Sequence, residues 1–298
     1  MGTIVTLTVV AADRSGGEAA IEKAFSEIAR LEQLFSSYRS DSDLSRLNAQ
    51  AGSGPVAVAE ELVELVSMAK ALAVQTGGSF NPLMGPVIKA WGIPHNPSVP
   101  SAGVLASLRP LLDLDALSVD RERATITLSR PSMALGLGGI AKGYTADRVV
   151  SLLERLGIRA ALVEISGDVR AFGRRPDGRP WRVAVRNPNS GTRPLARLEM
   201  EAGAISTSGD YQRFFELDGV RYHHIFDPNT LAPARGVVSV SLLADTGARA
   251  DALATAVLVM GETHGMALVE HEQSLEALML LSDGRLLASS GWPTSPRP

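Results

Sequence analysis

The sequence predicts an α+β protein in which helices pack on mixed or antiparallel sheets. Apolar residues at helical spacing dominate the first third of the chain, while period-2 strands crowd the region from residue 160 onward. Strands and helices do not alternate regularly, as a doubly wound parallel sheet requires. With 298 residues, 45% of them hydrophobic, the chain can bury one large core or two fused lobes.

The elements follow in order. Residues 3–10 alternate in the β sense, and over 18–35 the residues Ile21, Ala24, Phe25, Ile28, Leu31, Leu34 and Phe35 fall at helical spacing. Asp41, Ser42 and Asp43 open a short helix to Asn48 with a capping pattern. A second amphipathic helix over 59–75 stops at Gly77 and Gly78. After a Pro-rich loop at 93–100, the pattern predicts a helix near 102–112 and short strands at 116–119 and 124–128. A Gly-rich turn leads into a helix over about 143–156. Strands are expected at 160–165, 168–173, 181–187, 195–200, 203–207, 212–217 and 220–226. A buried strand at 237–243 meets a helix at 249–259, and a further helix and strand pair closes the chain. The unit spans 1–291, with the Pro-rich 292–298 expected to be a frayed tail.

Composition narrows the function. A net charge of −3 gives no basic footprint for nucleic acid. The absence of Cys removes disulfides, thiol catalysis and thiolate metal sites together. No run of 18 apolar residues exists, so no transmembrane segment is expected. The first residues lack the basic n-region of a signal peptide and read as a strand. The expectation is therefore a cytoplasmic protein, or a periplasmic or envelope-associated one if a leader was removed.

The most informative stretch is Leu135 to Asp147. Gly136, Gly138 and Gly139 let backbone N–H groups approach a bulky anion, and a following helix N-terminus together with Lys142 would add positive charge. These are features of a site for a phosphate-bearing ligand. Gly136, Gly138 and Ala141 also fit the dinucleotide pattern G-x-G-x-x-A, with Glu164 standing where a ribose-binding acid belongs. The strand expected before it, Ser132 to Leu135, is short, and no βαβ series follows. A tight structural turn would look the same. Lys142 is followed by Gly143 and not by Ser or Thr, which excludes a P-loop.

Three further groups carry chemistry. Asp251 and Thr255 stand four apart on one helix face and present two hard oxygen donors suited to Mg²⁺. A helix cap and a hydroxyl bonded back to its own helix would look the same. His223 and His224 are adjacent on an expected strand, so one at most faces a given pocket, where a neutral imidazole could act as a general base. Ser206, Thr207, Ser208, Gly209, Asp210 and Tyr211 place hydroxyls around a Gly turn, to bind phosphate or simply to make the turn.

Taken together, these segments resemble the ApbE family, the FAD:protein FMN transferases. The resemblance runs in order through Met1–Thr3, Phe35–Tyr38, Ser42–Asn48, Gly77–Asn81, Gly85–Pro86 and Trp91–Gly92. It continues through Gly138–Asp147, Gly167–Asp168, Ser206–Tyr211, Tyr222–Pro228 and Ala250–Thr255.

The resemblance implies an ApbE-like fold and a Mg²⁺-dependent reaction. FAD is split at its pyrophosphate, FMN is joined to a Ser or Thr hydroxyl of an acceptor flavoprotein by a phosphoester bond, and AMP leaves. It implies metal ligation by Asp251, Thr255 and a main-chain oxygen of Gly139, and base catalysis by His224. It places FAD contacts at Met1, Tyr38, Ser79, Phe80, Asn81, Gly136, Lys142 and Ile225. Hydrolysis of FAD and a non-catalytic flavin-binding role stand beside it as alternatives. The chain departs from the family pattern at three places: Gly136 and Asn81 stand where Asp is usual, and Leu231 stands where Gly is usual.

Overall fold

A computed structural model describes residues 3–190 and 192–293. The chain begins with β1 (Val5–Val10), α1 (Arg14–Phe35), α2 (Asp43–Ala49), β2 (Val56–Ala57) and α3 (Glu60–Gln75). α4 (Gly85–Trp91), α5 (Ala102–Leu108), β3 (Leu117–Asp120), β4 (Thr125–Leu128) and α6 (Ala141–Arg155) follow. Next come β5 (Ala160–Ile165), β6 (Asp168–Phe172), β7 (Trp181–Val185), β8 (Ala196–Met200), β9 (Ala202–Gly209), β10 (Phe214–Leu217) and β11 (Val220–His223). β12 (Phe226–Asp227), β13 (Ala232–Pro233), β14 (Val237–Ala244), α7 (Gly247–His271), β15 (Glu276–Leu281) and β16 (Leu286–Ala288) complete it.

A seven-stranded sheet in the order β1-β5-β6-β9-β14-β15-β16 forms the frame. Among the described residues every paired strand runs antiparallel to its neighbour. Alternation sorts β5 between two layers. Ala161, Val163 and Ile165 pack on Ala20, Ala24 and Ile28 of α1 and Val149, Val150 and Leu153 of α6. Ala160 joins Val169, Ala171 and Ile205 against the β7–β8 hairpin, with Trp181, Val183 and Leu198. Trp292, assigned by its sequence to the tail, is buried in this second layer. The largest core joins α3 and α7 to β14, β15 and the β2-β4-β3 sheet.

Local chemistry accounts for the element ends. Asp13 caps α1 by accepting from Gly16 N at 2.8 Å, and the stripe Gly17, Ala20, Ala24, Ile28, Leu31 and Phe35 is buried. α7 is longer than expected. The separate closing helix read from the sequence is its second half, beyond a break at Gly261 (φ 76°). By length and composition alone α7 could cross a membrane, but it carries buried Asp251 and packs against β9, β14 and α6.

Ser132 to Leu135 contains no strand, and α6 therefore follows an irregular segment. This and the antiparallel sheet remove the dinucleotide-fold reading, which needs a parallel βαβ unit. The expected strand at 220–226 divides into β11 and β12, leaving His224 and Ile225 between them.

Candidate active site

The N-termini of α6 and α7 meet at Gly143 and Gly247. A Cβ built on Gly247 would lie 2.5 Å from the Gly143 carbonyl oxygen, so only glycine permits this approach. Here Lys142, on the first turn of α6, extends its ammonium between two carboxylates from distant parts of the chain. Nζ lies 2.7 Å from Asp251 Oδ1 and 3.2 Å from Asp168 Oδ2, and donates to the Gly138 carbonyl at 3.1 Å. Gly143 N donates to the other Asp251 oxygen at 3.2 Å. Asp251 therefore caps α6 and not its own helix, whose cap is Thr246. The α6 N-terminus, read from the sequence as an anion site, already holds a carboxylate.

Asp168 owes its place to a two-residue turn. Ser166 (φ 58°) and Gly167 (φ 89°) connect β5 to β6 in the left-handed conformation favoured by tight hairpins, pairing Ile165 with Asp168. Oδ1 of Asp168 accepts from Ser206 Oγ at 2.5 Å and Thr207 N at 3.2 Å. Oδ2 is buried without a hydrogen bond, facing Lys142 only as an ion pair. On β9, Ser208 Oγ lies 3.1 Å from Thr255 Oγ1. Thr255 also donates to the Asp251 main-chain oxygen at 3.3 Å, the bond back to its own helix that the sequence left open. A Cβ on Gly139 would meet Thr255 Oγ1 at 3.3 Å and Phe80 Cε2 at 3.4 Å. Gly139 thus brings the Gly-rich turn against both.

Two buried carboxylates share one ammonium, and the charges show the imbalance. Burial pushes the Asp251 carboxyl up to about 6; Lys142 opposes the rise and Asp168 adds to it. Burial alone would lower the Lys142 amine, yet the two carboxylates together raise it above its usual value. Among the described residues no three His, Asp or Glu side chains gather, so a metal here would rely on these oxygens. The donors fit a hard divalent cation: carboxylate, hydroxyl and carbonyl oxygens, with an ammonium already standing among them.

The two histidines have different surroundings. His223 is 2% exposed, and both its nitrogens are engaged: Nε2 with the Ala234 carbonyl at 2.8 Å, Nδ1 accepting from Ile225 N at 3.3 Å. His224 places Nδ1 3.2 Å from the Arg213 carbonyl. A neutral ring there donates from Nδ1 and keeps Nε2 as an acceptor. Burial holds this imidazole down to about 4, the Arg213 carbonyl opposes that, and the charges of Arg213, His223 and Lys142 lower it further.

Other sequence-selected residues divide. Tyr38, 64% exposed, accepts from Arg213 Nη1 at 3.1 Å, which ties it to the residue that holds His224. Phe80 and Ile225 are buried in the main core. Asn81 lines a cleft of about 330 Å³ with Gly77, Gly78 and Arg109. Its amide donates to the Leu112 carbonyl at 3.0 Å and accepts from Leu83 N at 2.8 Å. Ser79 N donates to the Thr76 carbonyl at 3.1 Å, in the turn that ends α3. Gly136 packs on Gly85 and Ile88, its N–H donating to Pro82 O at 2.7 Å. Met1 lies outside the described residues. Asp168, Ser206 and Ser208 were not selected from the sequence as ligands of this centre. The period-2 spacing of Ser206 and Ser208 was the available signal.

Helices on an antiparallel sheet, with a lysine-bridged pair of buried carboxylates at two meeting helix N-termini, define an α+β protein built around a charged, oxygen-lined centre. The chain belongs to the ApbE family, whose profile matches residues 1–279. Membership makes it a transferase. A FAD:protein FMN transferase of Treponema pallidum is 39% identical over 290 residues, covering 92% of this chain and 80% of that protein. One of Vibrio cholerae is 38% identical over 252 residues, covering 83% and 74%. The crystal structure of the ApbE protein of Thermotoga maritima superposes with a TM-score of 0.90 at 31% identity, covering 97% of this chain and 94% of that one.

Proposed function

We propose that this protein is a Mg²⁺-dependent FAD:protein FMN transferase. It joins FMN from FAD to a Ser or Thr hydroxyl of an acceptor flavoprotein through a phosphoester bond and releases AMP. The observation that carries this reading is the buried Asp251 carboxylate on the same helix turn as the Thr255 hydroxyl, with Gly139 of the Gly-rich turn packed against Thr255 and a second carboxylate, Asp168, leaving the centre short of positive charge. The T. pallidum relative, 39% identical, bears the name of the same reaction.

Asp251, the Thr255 hydroxyl and a main-chain oxygen of Gly139 would hold the ion. When bound, it neutralises charge developing on the transferring phosphate. Lys142 adds a second positive charge beside the pyrophosphate. His224 accepts the proton of the acceptor hydroxyl at Nε2 as that oxygen bonds to the FMN phosphorus. The bond to the bridging pyrophosphate oxygen breaks, and AMP leaves with it. Burial keeps this imidazole neutral at pH 7, with Nε2 as its acceptor nitrogen. The proposed flavin contacts are Met1, Tyr38, Ser79, Phe80, Asn81, Gly136 and Ile225, with Lys142. AMP release from FAD and Mg²⁺ tests the reading, measured with and without a Ser/Thr acceptor protein. Release that depends on the acceptor supports transfer, and equal release in both shows a hydrolase.

A further inference from the structure

The centre as read above makes Asp251 a cation ligand, and the following inference rests on that reading. Lys142 stands in the way. Its ammonium contacts Asp251 Oδ1 and the Gly138 carbonyl, and so holds a carboxylate oxygen that the cation would need. A divalent cation and an ammonium repel strongly at such range in a buried site. Asp168 offers the ammonium another partner. Its Oδ1 is fixed by Ser206 and Thr207, whereas its Oδ2 is buried, has no hydrogen bond, and lies 3.2 Å from Nζ. A buried carboxylate oxygen without a hydrogen bond is unfavourable, and the nearest donor able to satisfy it is Lys142. The Ser166–Gly167 turn and the Ser206 bond keep that oxygen in place whichever partner Lys142 holds.

We infer that Asp168 is a positioning residue: it receives the Lys142 ammonium when a divalent cation takes Asp251. Lys142 is shared between the two carboxylates, 2.7 Å from Asp251 Oδ1 and 3.2 Å from Asp168 Oδ2. When a cation takes Asp251, the ammonium gives up that carboxylate and keeps Asp168 Oδ2. Lys142 therefore competes with the cation, and Asp168 weakens that competition.

The test is calorimetric titration of Mg²⁺ alone, without nucleotide, at pH 8. It uses the full chain, Lys142→Met, Asp168→Asn and the double variant. Lys142→Met should bind Mg²⁺ at least about tenfold more tightly, because nothing has to be displaced. Asp168→Asn should bind it about tenfold more weakly, because Lys142 then has only Asp251. In the Lys142→Met background the same Asp168 change should cost no more than about threefold, since no ammonium remains to be received. Equal weakening in both backgrounds would make Asp168 a direct partner of the cation and overturn the inference, as would a Lys142→Met variant that binds no more tightly. Should Lys142→Met not fold, unchanged affinity in Asp168→Asn overturns the inference alone. If none of the proteins binds Mg²⁺, the cation reading itself falls and the inference with it. That result is distinct from Mg²⁺ binding that is indifferent to Asp168.

Discussion

Asp147 and Asp251 each cap the other's helix. Asp147, on α6, accepts from Gly247 N at 2.8 Å and Ala248 N at 2.9 Å at the start of α7. Asp251, on α7, accepts from Gly143 N at the start of α6. Each carboxylate satisfies amide donors that a helix N-terminus leaves unpaired. The exchange fixes the two helices where Gly143 and Gly247 touch, which places Lys142 and Asp251 at one point. Each positive helix end is thereby matched by a carboxylate of the other helix.

Asp147 should therefore matter for stability more than for chemistry. It also pairs with Arg170 Nε at 2.9 Å, and both side chains are largely buried. Asp147→Ala removes two capping bonds and the counter-charge of Arg170, whose Nη1 keeps the Ala171 and Gly203 carbonyls. A loss of about 2–4 kcal/mol is expected in urea unfolding. A loss below about 0.5 kcal/mol would show that the helix junction is held by packing alone.

The metal-ligand assignment is tested by isosteric changes that leave the junction in place. Asp251→Asn should lower FMN transfer by about 10²–10³-fold, since the charged ligand is lost. Thr255→Val, which removes only the hydroxyl facing Ser208, should cost about tenfold. Steady-state rates over a Mg²⁺ series check both. Full activity of Asp251→Asn in chelator would take the metal out of the account.

The histidines should separate by readout. His224→Asn should lower transfer at saturating FAD by about 10²–10⁴-fold with FAD affinity nearly unchanged. His223→Asn should instead destabilise the fold by about 1–3 kcal/mol, because both its ring nitrogens are bonded in the interior. The reverse pattern in paired rate and unfolding measurements would reassign the base.

His224 also sets part of the acid stability. Its folded value of about 4 lies below its ordinary 6.5. Between those values the unfolded chain binds a proton that the folded protein refuses. This contribution to stability is complete above about 6.5 and is lost as pH falls toward 4. Asp251, pushed up to about 6, acts in the opposite sense, and buried His223 acts in the same sense as His224. The comparison with His224→Asn isolates the one group. The variant should show a shallower fall in Tm between pH 6.5 and 4, and an identical slope would mean that His224 is not held neutral.

Most of this arrangement was legible in residues, though not all. Period-3.6 and period-2 patterns located α1, α3 and the strands beyond residue 160, because each buries one face of a regular element. The Gly-rich turn and the Asp251–Thr255 pair identified one side of the centre. Asp168 stood in the matched pair Gly167–Asp168 without a role, because that role comes from a hairpin register and from Lys142, neither visible in local spacing. Asp147 escaped for the same reason, since its partners are amides 100 and 101 residues away. The departures acquire physical meaning only in three dimensions. Leu231 adopts a left-handed φ of 59°, the conformation that favours the family's usual Gly, while its side chain is fully buried beside Trp91 and Phe226. Asn81 uses its amide donor on Leu112, a bond that an aspartate could not make.

The central claim is covalent transfer of FMN, and the most direct measurement is the intact mass of an acceptor protein. The acceptor, carrying a Ser or Thr site, is incubated with this protein, FAD and Mg²⁺. The acceptor should gain one FMN less one water, with one AMP released per FMN attached, and the product should be lost when the acceptor hydroxyl is replaced by Ala. An unchanged acceptor mass while FAD is converted to FMN and AMP would contradict the claim.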